Sequence, residues 1–108
     1  MAIRWTRTND WHIARFRDGN VESWGQDAKA ITAFIGSLPP GSKVAISFRG
    51  VEFISSGVIG LVLAAKAKVA ATAGKFALTS PNQKIMQALK IARLDKALTI
   101  RETTNDLE

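Results

Sequence analysis

The chain has 108 residues and a formal net charge of +6, with no cysteine and a single histidine, His12. That length suits one domain with one hydrophobic core, and the composition excludes disulfides, thiolate metal sites and a histidine cluster around a metal within one chain. No apolar run precedes a small-residue cleavage site at the N-terminus, and the most apolar window, Val51 to Ala65, is too short for a membrane span and is broken by Glu52, Ser55, Ser56 and two glycines. The expectation is a soluble cytoplasmic protein, residues 1–108 forming a single domain and 102–108 a polar, frayed tail.

In chain order, Ile3 to Thr8 and Trp11 to Phe16 are short and rich in β-favouring side chains, with the turn signal Asn9-Asp10 between them. They read as a hairpin. Either Trp11/Ile13 or Ala14/Phe16 could face inward on the second strand. Asp18-Gly19-Asn20 breaks the pattern. Trp24, Ala28, Ile31, Ile35 and Leu38 then recur at helical spacing, with Ser23 as a candidate cap, until Pro39-Pro40-Gly41 stops the helix.

Lys43 to Phe48 reads as a strand with Val44, Ile46 and Phe48 on one face, followed by the short extended run Val51 to Ile54. Ser55-Ser56 leads into an alanine- and leucine-rich helix, Gly57 to Ala73, closed by Gly74. Phe76 to Thr79 is a strand. Ser80-Pro81-Asn82-Gln83 reads as a helix start with Ser80 as cap and Pro81 at the first position. Ile85, Ala88, Leu89 and Ala92 form that helix's apolar stripe, and Leu98 to Arg101 is a last strand. The order ββαβαβα plus a final short strand indicates an α/β fold, a mixed sheet of about five strands with helices packed on it. The strands at 43–48 and 76–79, joined through a helix, should be parallel.

The helix after Ser56 is unusual. Val58, Leu61, Val62, Ala65 and Val69 make one face suited to a sheet, whereas Gly57, Gly60, Ala64, Ala67 and Ala71 fall on another. A helix on a sheet normally shows a broad polar side. Here the outer side is small and nearly free of charge, which reads as a docking surface. The plainer reading is that alanine is a good helix former whose exposure costs little.

The run from Val44 to Gly60 resembles the signature of STAS domains, found in anti-sigma factor antagonists and in the cytoplasmic tails of sulfate transporters. In that family a hydrophobic strand leads through an Asp-Leu-Ser-Gly-like turn and an apolar run ending Phe-Ile to Asp-Ser-Ser-Gly-Leu-Gly at a helix start. Gly74 to Leu78 and Ala88 to Asp95 are similar to later parts of the family pattern, so the resemblance runs from about residue 10 to residue 101. It departs at Ser47 and Ser55, where the family carries acids, and at Val58-Ile59-Gly60. The resemblance implies that Ser56 is the phospho-acceptor, with Ser55 as second choice.

A serine between a strand and a helix can cap the helix, and the same place tolerates a phosphate, because helix N-termini carry free N–H donors and partial positive charge. Phosphorylation there adds about −1.5 to −2 charges, which would weaken binding through an apolar surface. The resemblance therefore implies an anti-sigma factor antagonist that binds an anti-sigma factor serine kinase when unphosphorylated and lets go on phosphorylation of Ser56, so regulating sigma-factor-dependent transcription. ATP and magnesium would belong to the kinase, a phosphatase would reset the switch, and the sigma factor would be touched only indirectly. The implied contact residues are Asn20, Ser23 and Trp24 together with Ser55, Ser56, Gly57, Gly60, Leu61 and Ala64.

Two other classes compete. A STAS scaffold subunit of a larger signalling assembly is suggested by the lost acid at Ser55. A nucleic-acid or nucleotide-binding module is suggested by the charge and by Arg4, Arg7, Arg15 and Arg17 interleaved with Trp5, Trp11 and Phe16. Solvated arginines on edge strands would look the same, and no glycine-rich phosphate loop is present. No enzyme is expected: His12 has no acidic or nucleophilic partner at motif spacing. No cofactor, metal site or membrane contact is expected either.

Overall fold

The elements in chain order are β1 (Ile3–Thr8), β2 (Trp11–Phe16), β3 (Asn20–Val21), α1 (Trp24–Ser37), β4 (Lys43–Ser47), β5 (Phe53–Ile54), α2 (Ser56–Ala70), β6 (Lys75–Thr79), α3 (Gln83–Ile91) and β7 (Thr99–Arg101). The computed structural model describes residues 3–16, 20–21, 24–54, 56–103 and 107. Five strands form one sheet in the order β1-β2-β4-β6-β7, and β3 pairs with β5 in a short separate bridge. This is the expected α/β architecture with a mixed sheet. The β1–β2 pair is antiparallel, and β2–β4, β4–β6 and β6–β7 are parallel. Asn9 and Asp10 both take positive φ, 50° and 69°. A two-residue turn of that kind twists as the strands do, which fixes the hairpin register.

Side chains alternate across a strand, and both faces of the central strands are used. Ala14, Val44, Ile46, Phe48 and Leu78 lie on the face that the helices cover. There they meet Ile31 and Ile35 of α1, Val58, Leu61, Val62, Ala65 and Val69 of α2, and Ile85 and Leu89 of α3. Trp11, Ile13, Ala45 and Ala77 lie on the opposite face with Leu107. The orientation that the sequence left open for β2 thus resolves into both: Ala14 turns to the helices, and Trp11 and Ile13 turn away. Trp5 stacks on Phe34 of α1 with ring centroids 4.0 Å apart, and His12 meets the same ring edge-on at 6.0 Å.

Several boundaries differ from the sequence reading. The cap of α3 is Asn82, not Ser80. Asn82 has extended backbone and its side-chain oxygen accepts from the Ile85 N–H, as a cap must. Ser80 instead takes φ 57° and donates its N–H to the Arg101 carbonyl. Helix α2 stops at Ala70, three residues early. Ala73 supplies the left-handed turn at φ 59°, and Gly74 bonds back to the Val69 carbonyl at 3.0 Å. Gly74 is needed for space. A Cβ there would collide with the Ser42 carbonyl oxygen and stand 2.8 Å from Val69 Cγ1. The tail 102–108 is not wholly frayed, because Leu107 is 4% exposed beneath the sheet. The Asp18-Gly19 break and the Ser23 cap lie outside the described residues.

Candidate functional site at the start of the second helix

Ser56 is the first residue of α2, at the end of the segment that leaves β4. That segment is held at several points. Phe48 is buried and donates its N–H to the Thr79 carbonyl at 2.9 Å. Gly50, at φ 80°, turns the chain, and the Val51 N–H closes the turn on the Phe48 carbonyl at 2.9 Å. Positive φ costs glycine nothing. Val51 is itself buried.

The Asn82 side chain then ties this loop to α3. Its amide nitrogen donates to the carbonyls of Val51 at 3.1 Å and Glu52 at 2.7 Å, while its oxygen caps α3. One residue thus fixes the approach to Ser56 and starts a helix. Sequence reasoning missed it by giving the cap to Ser80. The signal was there, since an asparagine three residues before the apolar stripe is as good a cap as serine.

The bridge between β3 and β5 sets the second half of the site. Asn20 lies opposite Phe53 and Val21 opposite Ile54, in parallel register. This brings Asn20 beside the strand that runs into Ser56. Of the first group of implied contact residues, Asn20 is thereby placed opposite Phe53, three residues before Ser56, and Trp24 opens α1. Ser23 and Ser55 lie outside the described residues.

Along α2 the predicted division of faces is visible. Val58, Leu61, Val62, Ala65 and Val69 are buried, and Gly57, Gly60, Ala64, Ala67 and Ala71 are exposed. A Cβ at Gly60 would meet nothing within 4 Å, so the surface there is open. Leu61, counted among the implied contacts, turns inward and is 3% exposed. A partner would meet Gly57, Gly60 and Ala64, and Leu61 holds the helix from beneath. Leu63 is 43% exposed on the outside. Lys66 is drawn away, its ammonium bound to the Ala97 carbonyl at 2.9 Å. No acidic residue occupies the first turn, so the partial positive charge at this end is not offset by a side chain of the helix.

The other candidate chemistry finds less support. Burial, reinforced by Arg7, holds the His12 imidazole below its ordinary value. A cavity of about 400 Å³ is lined by His12 with Asp10 and Ser42. Yet Asp10 faces Arg7 at 4.0 Å and the Ser42 hydroxyl donates to the Pro39 carbonyl, so no triad geometry forms. Trp5 is half-buried with its ring stacked on Phe34, and Trp11 is 5% exposed, so both rings are engaged within the fold and neither stands clear as a platform for bases. Among the described residues no group of three or more acidic or histidine side chains could hold a metal ion, and no helix is long and apolar enough to cross a membrane.

The STAS domain profile matches residues 12–107. The chain belongs to the STAS domain family. It is similar to a candidate anti-sigma factor antagonist of Thermotoga neapolitana, with 31% identity over 65 residues, 60% of this chain and 58% of that protein. The match thus spans little more than half the length of that curated relative. Among solved structures it is similar to an anti-sigma-factor antagonist (STAS) domain protein of Planctomyces limnophilus, with TM-score 0.85 and 24% identity over 96% of this chain and 92% of that one. It is also similar to the anti-sigma factor antagonist SpoIIAA in its unphosphorylated form, with TM-score 0.74 and 19% identity over 97% and 91%. At these identities the structural likeness shows that the STAS fold is shared.

Proposed function

We propose that this STAS protein is an anti-sigma factor antagonist working by partner switching, a binding switch and not an enzyme. Unphosphorylated, it binds an anti-sigma factor serine kinase and frees the sigma factor. Phosphorylated at Ser56, it releases the kinase, which supplies the ATP and magnesium; a phosphatase resets the switch. The observation that carries this reading is Ser56 at the first position of a helix whose exposed flank is Gly57, Gly60 and Ala64. A phosphate there gains the amides and dipole of the helix end. It also sets about −1.5 to −2 charges at the edge of a surface with few polar groups. The partner must then desolvate that charge without an answering cation, and binding weakens while the fold stays as it is.

The similarity to the anti-sigma factor antagonist SpoIIAA, whose structure is of its unphosphorylated form, supports the same reading. The test is phosphopeptide mapping of the protein from its own cells, with Ser56→Ala and Ser56→Asp assayed for retained partners. Phosphate on Ser56, with a kinase kept by the alanine form and lost by the aspartate form, is the expected result. An unmodified Ser56 with the same partners on all three forms would overturn it in favour of the scaffold.

A further inference from the structure

Among the described strands, β7 is the last of the sheet on its side. In a parallel ladder, successive residues turn their backbone groups to opposite sides of the strand. The Arg101 carbonyl accepts from the Ser80 N–H at 3.0 Å, so the backbone of Arg101 faces β6. The N–H and carbonyl of Ile100 therefore point to the open edge. The strand closes part of that edge itself. The Arg101 guanidinium reaches back and donates from Nη1 to the Ile100 carbonyl at 3.2 Å. This contact blunts the edge against pairing with another strand. It also holds the guanidinium close to the Ile100 N–H, with most of its own donors left for a ligand.

The same edge is one wall of a cavity of about 800 Å³ between β7 and α3, within the size range that takes a small organic ligand. Met86 of α3, Leu98 and Ile100 give the cavity an apolar floor. Met86 and Ile100 are only partly buried where they pack against the core. Asp95, from the turn after α3, and Glu102, one residue past β7, add two carboxylates to the lining. Among the described residues no ion pair joins Asp95, Arg101 or Glu102 to a partner. One cavity thus presents three kinds of contact: donors for an anion at Arg101 and Ile100, acceptors for a cation at Asp95 and Glu102, and apolar surface between them.

We propose that this cavity binds a small zwitterion with an apolar side chain, the chemistry of a free apolar amino acid or of a short apolar peptide. Its carboxylate accepts from the Arg101 guanidinium and the Ile100 N–H. Its ammonium donates to Asp95 and Glu102, and its side chain lies on Met86 and Leu98. An organic acid without the ammonium would bring a further negative charge to two carboxylates, and an amine without the carboxylate would leave Arg101 unanswered. Ser56 is not part of the cavity, so this site stands or falls apart from the proposed switch.

The probes are leucine, leucinamide, N-acetylleucine, glycine and the dipeptide Leu-Leu, titrated into isotope-labelled full-length protein and followed by backbone amide chemical shifts. Leucine or Leu-Leu should give saturable shifts at Met86, Ile100 and Arg101, with a Kd of about 1 mM or below for a ligand of this size. Leucinamide lacks the carboxylate, N-acetylleucine the ammonium and glycine the apolar side chain. Each should bind at least about tenfold more weakly. The tighter of leucine and Leu-Leu tells whether the site takes a free amino acid or a peptide. Arg101→Gln should weaken leucine about tenfold and leave leucinamide as it was. Asp95→Asn with Glu102→Gln should weaken leucine similarly and leave N-acetylleucine as it was. Thermal unfolding establishes that the variants are folded, and the probes on the unaltered protein decide the question without them. The inference is overturned if neither leucine nor Leu-Leu gives saturable shifts at these residues, or if leucinamide or N-acetylleucine binds as tightly as leucine.

Discussion

Replacing Asn82 by alanine tests the link between α3 and the approach to Ser56. The change removes an N-cap, worth about 1 kcal/mol, and two hydrogen bonds to the Val51 and Glu52 carbonyls. Each of these contributes about 0.5 to 1 kcal/mol at a partly solvated site. The three share one side chain, so their effects overlap, and the expected loss is about 2 kcal/mol. For a domain of this size that lowers Tm by about 8 to 12 °C. Urea unfolding gives the free energy. Hydrogen exchange at residues 51–54 then locates the effect, since these amides should exchange faster with the loop untied. Asn82→Asp separates the two roles: it keeps the capping oxygen and loses the donor, so α3 should stay capped while the loop loosens. Ser80→Ala should cost much less than Asn82→Ala, because Ser80 does not cap. A loss below about 0.5 kcal/mol for Asn82→Ala, or equal losses for the Ser80 and Asn82 variants, would refute the assignment.

Gly74→Ala should destabilise by about 2 kcal/mol through overpacking against Ser42 and Val69, measured as a lower midpoint in urea. Ala64→Arg should leave stability within about 0.5 kcal/mol and weaken binding of the proposed kinase partner at least tenfold, whereas Leu61→Ala should cost about 2 to 4 kcal/mol as a core residue; a calorimetric titration with urea melts of both variants distinguishes them. The folded-state pKa of His12 is depressed, so the unfolded chain binds more protons between that value and the unperturbed value of about 6.5. Stability should therefore decline as pH falls below about 6.5, levelling off below the folded pKa, and His12→Gln should flatten that part of a pH series.

The fold was legible because its main signals are periodic. Alternation gave the strands, and the stripe Val58, Leu61, Val62, Ala65 and Val69 gave the inner face of α2, all of it buried as read. The Pro39-Pro40-Gly41 stop and the Asn9-Asp10 turn were chemical signals of the same clarity. What escaped was non-local. Ser80 and Asn82 are both acceptable caps by residue type. The choice was made by the pairing of Ser80 with Arg101 and by carbonyls of residues 51 and 52 within reach of Asn82. Gly74 read as a helix terminator, whereas its requirement is the close pass of Ser42. The burial of Leu107 could not be read from a polar tail, because it depends on an apolar floor contributed by three separate strands. For the site, the motif marked Ser56 and the small residues after it, but the nearness of Asn20 to Phe53 emerges only through the β3–β5 bridge.

The small residues along the outside of α2 also bear on the kinetics of the proposed switch. Glycine and alanine have no rotamers to freeze, while each long side chain immobilised on binding costs about 0.5 to 1.5 kcal/mol. Lys66 is already anchored to Ala97. A partner docking here would therefore meet a surface that is ordered beforehand, with little loss of conformational freedom on this side. Such a surface also offers few large side chains to dominate the affinity. Its contacts would be numerous and individually weak, so one added charge at the helix start could shift the whole balance, and the complex could form and dissociate quickly enough to follow the state of Ser56.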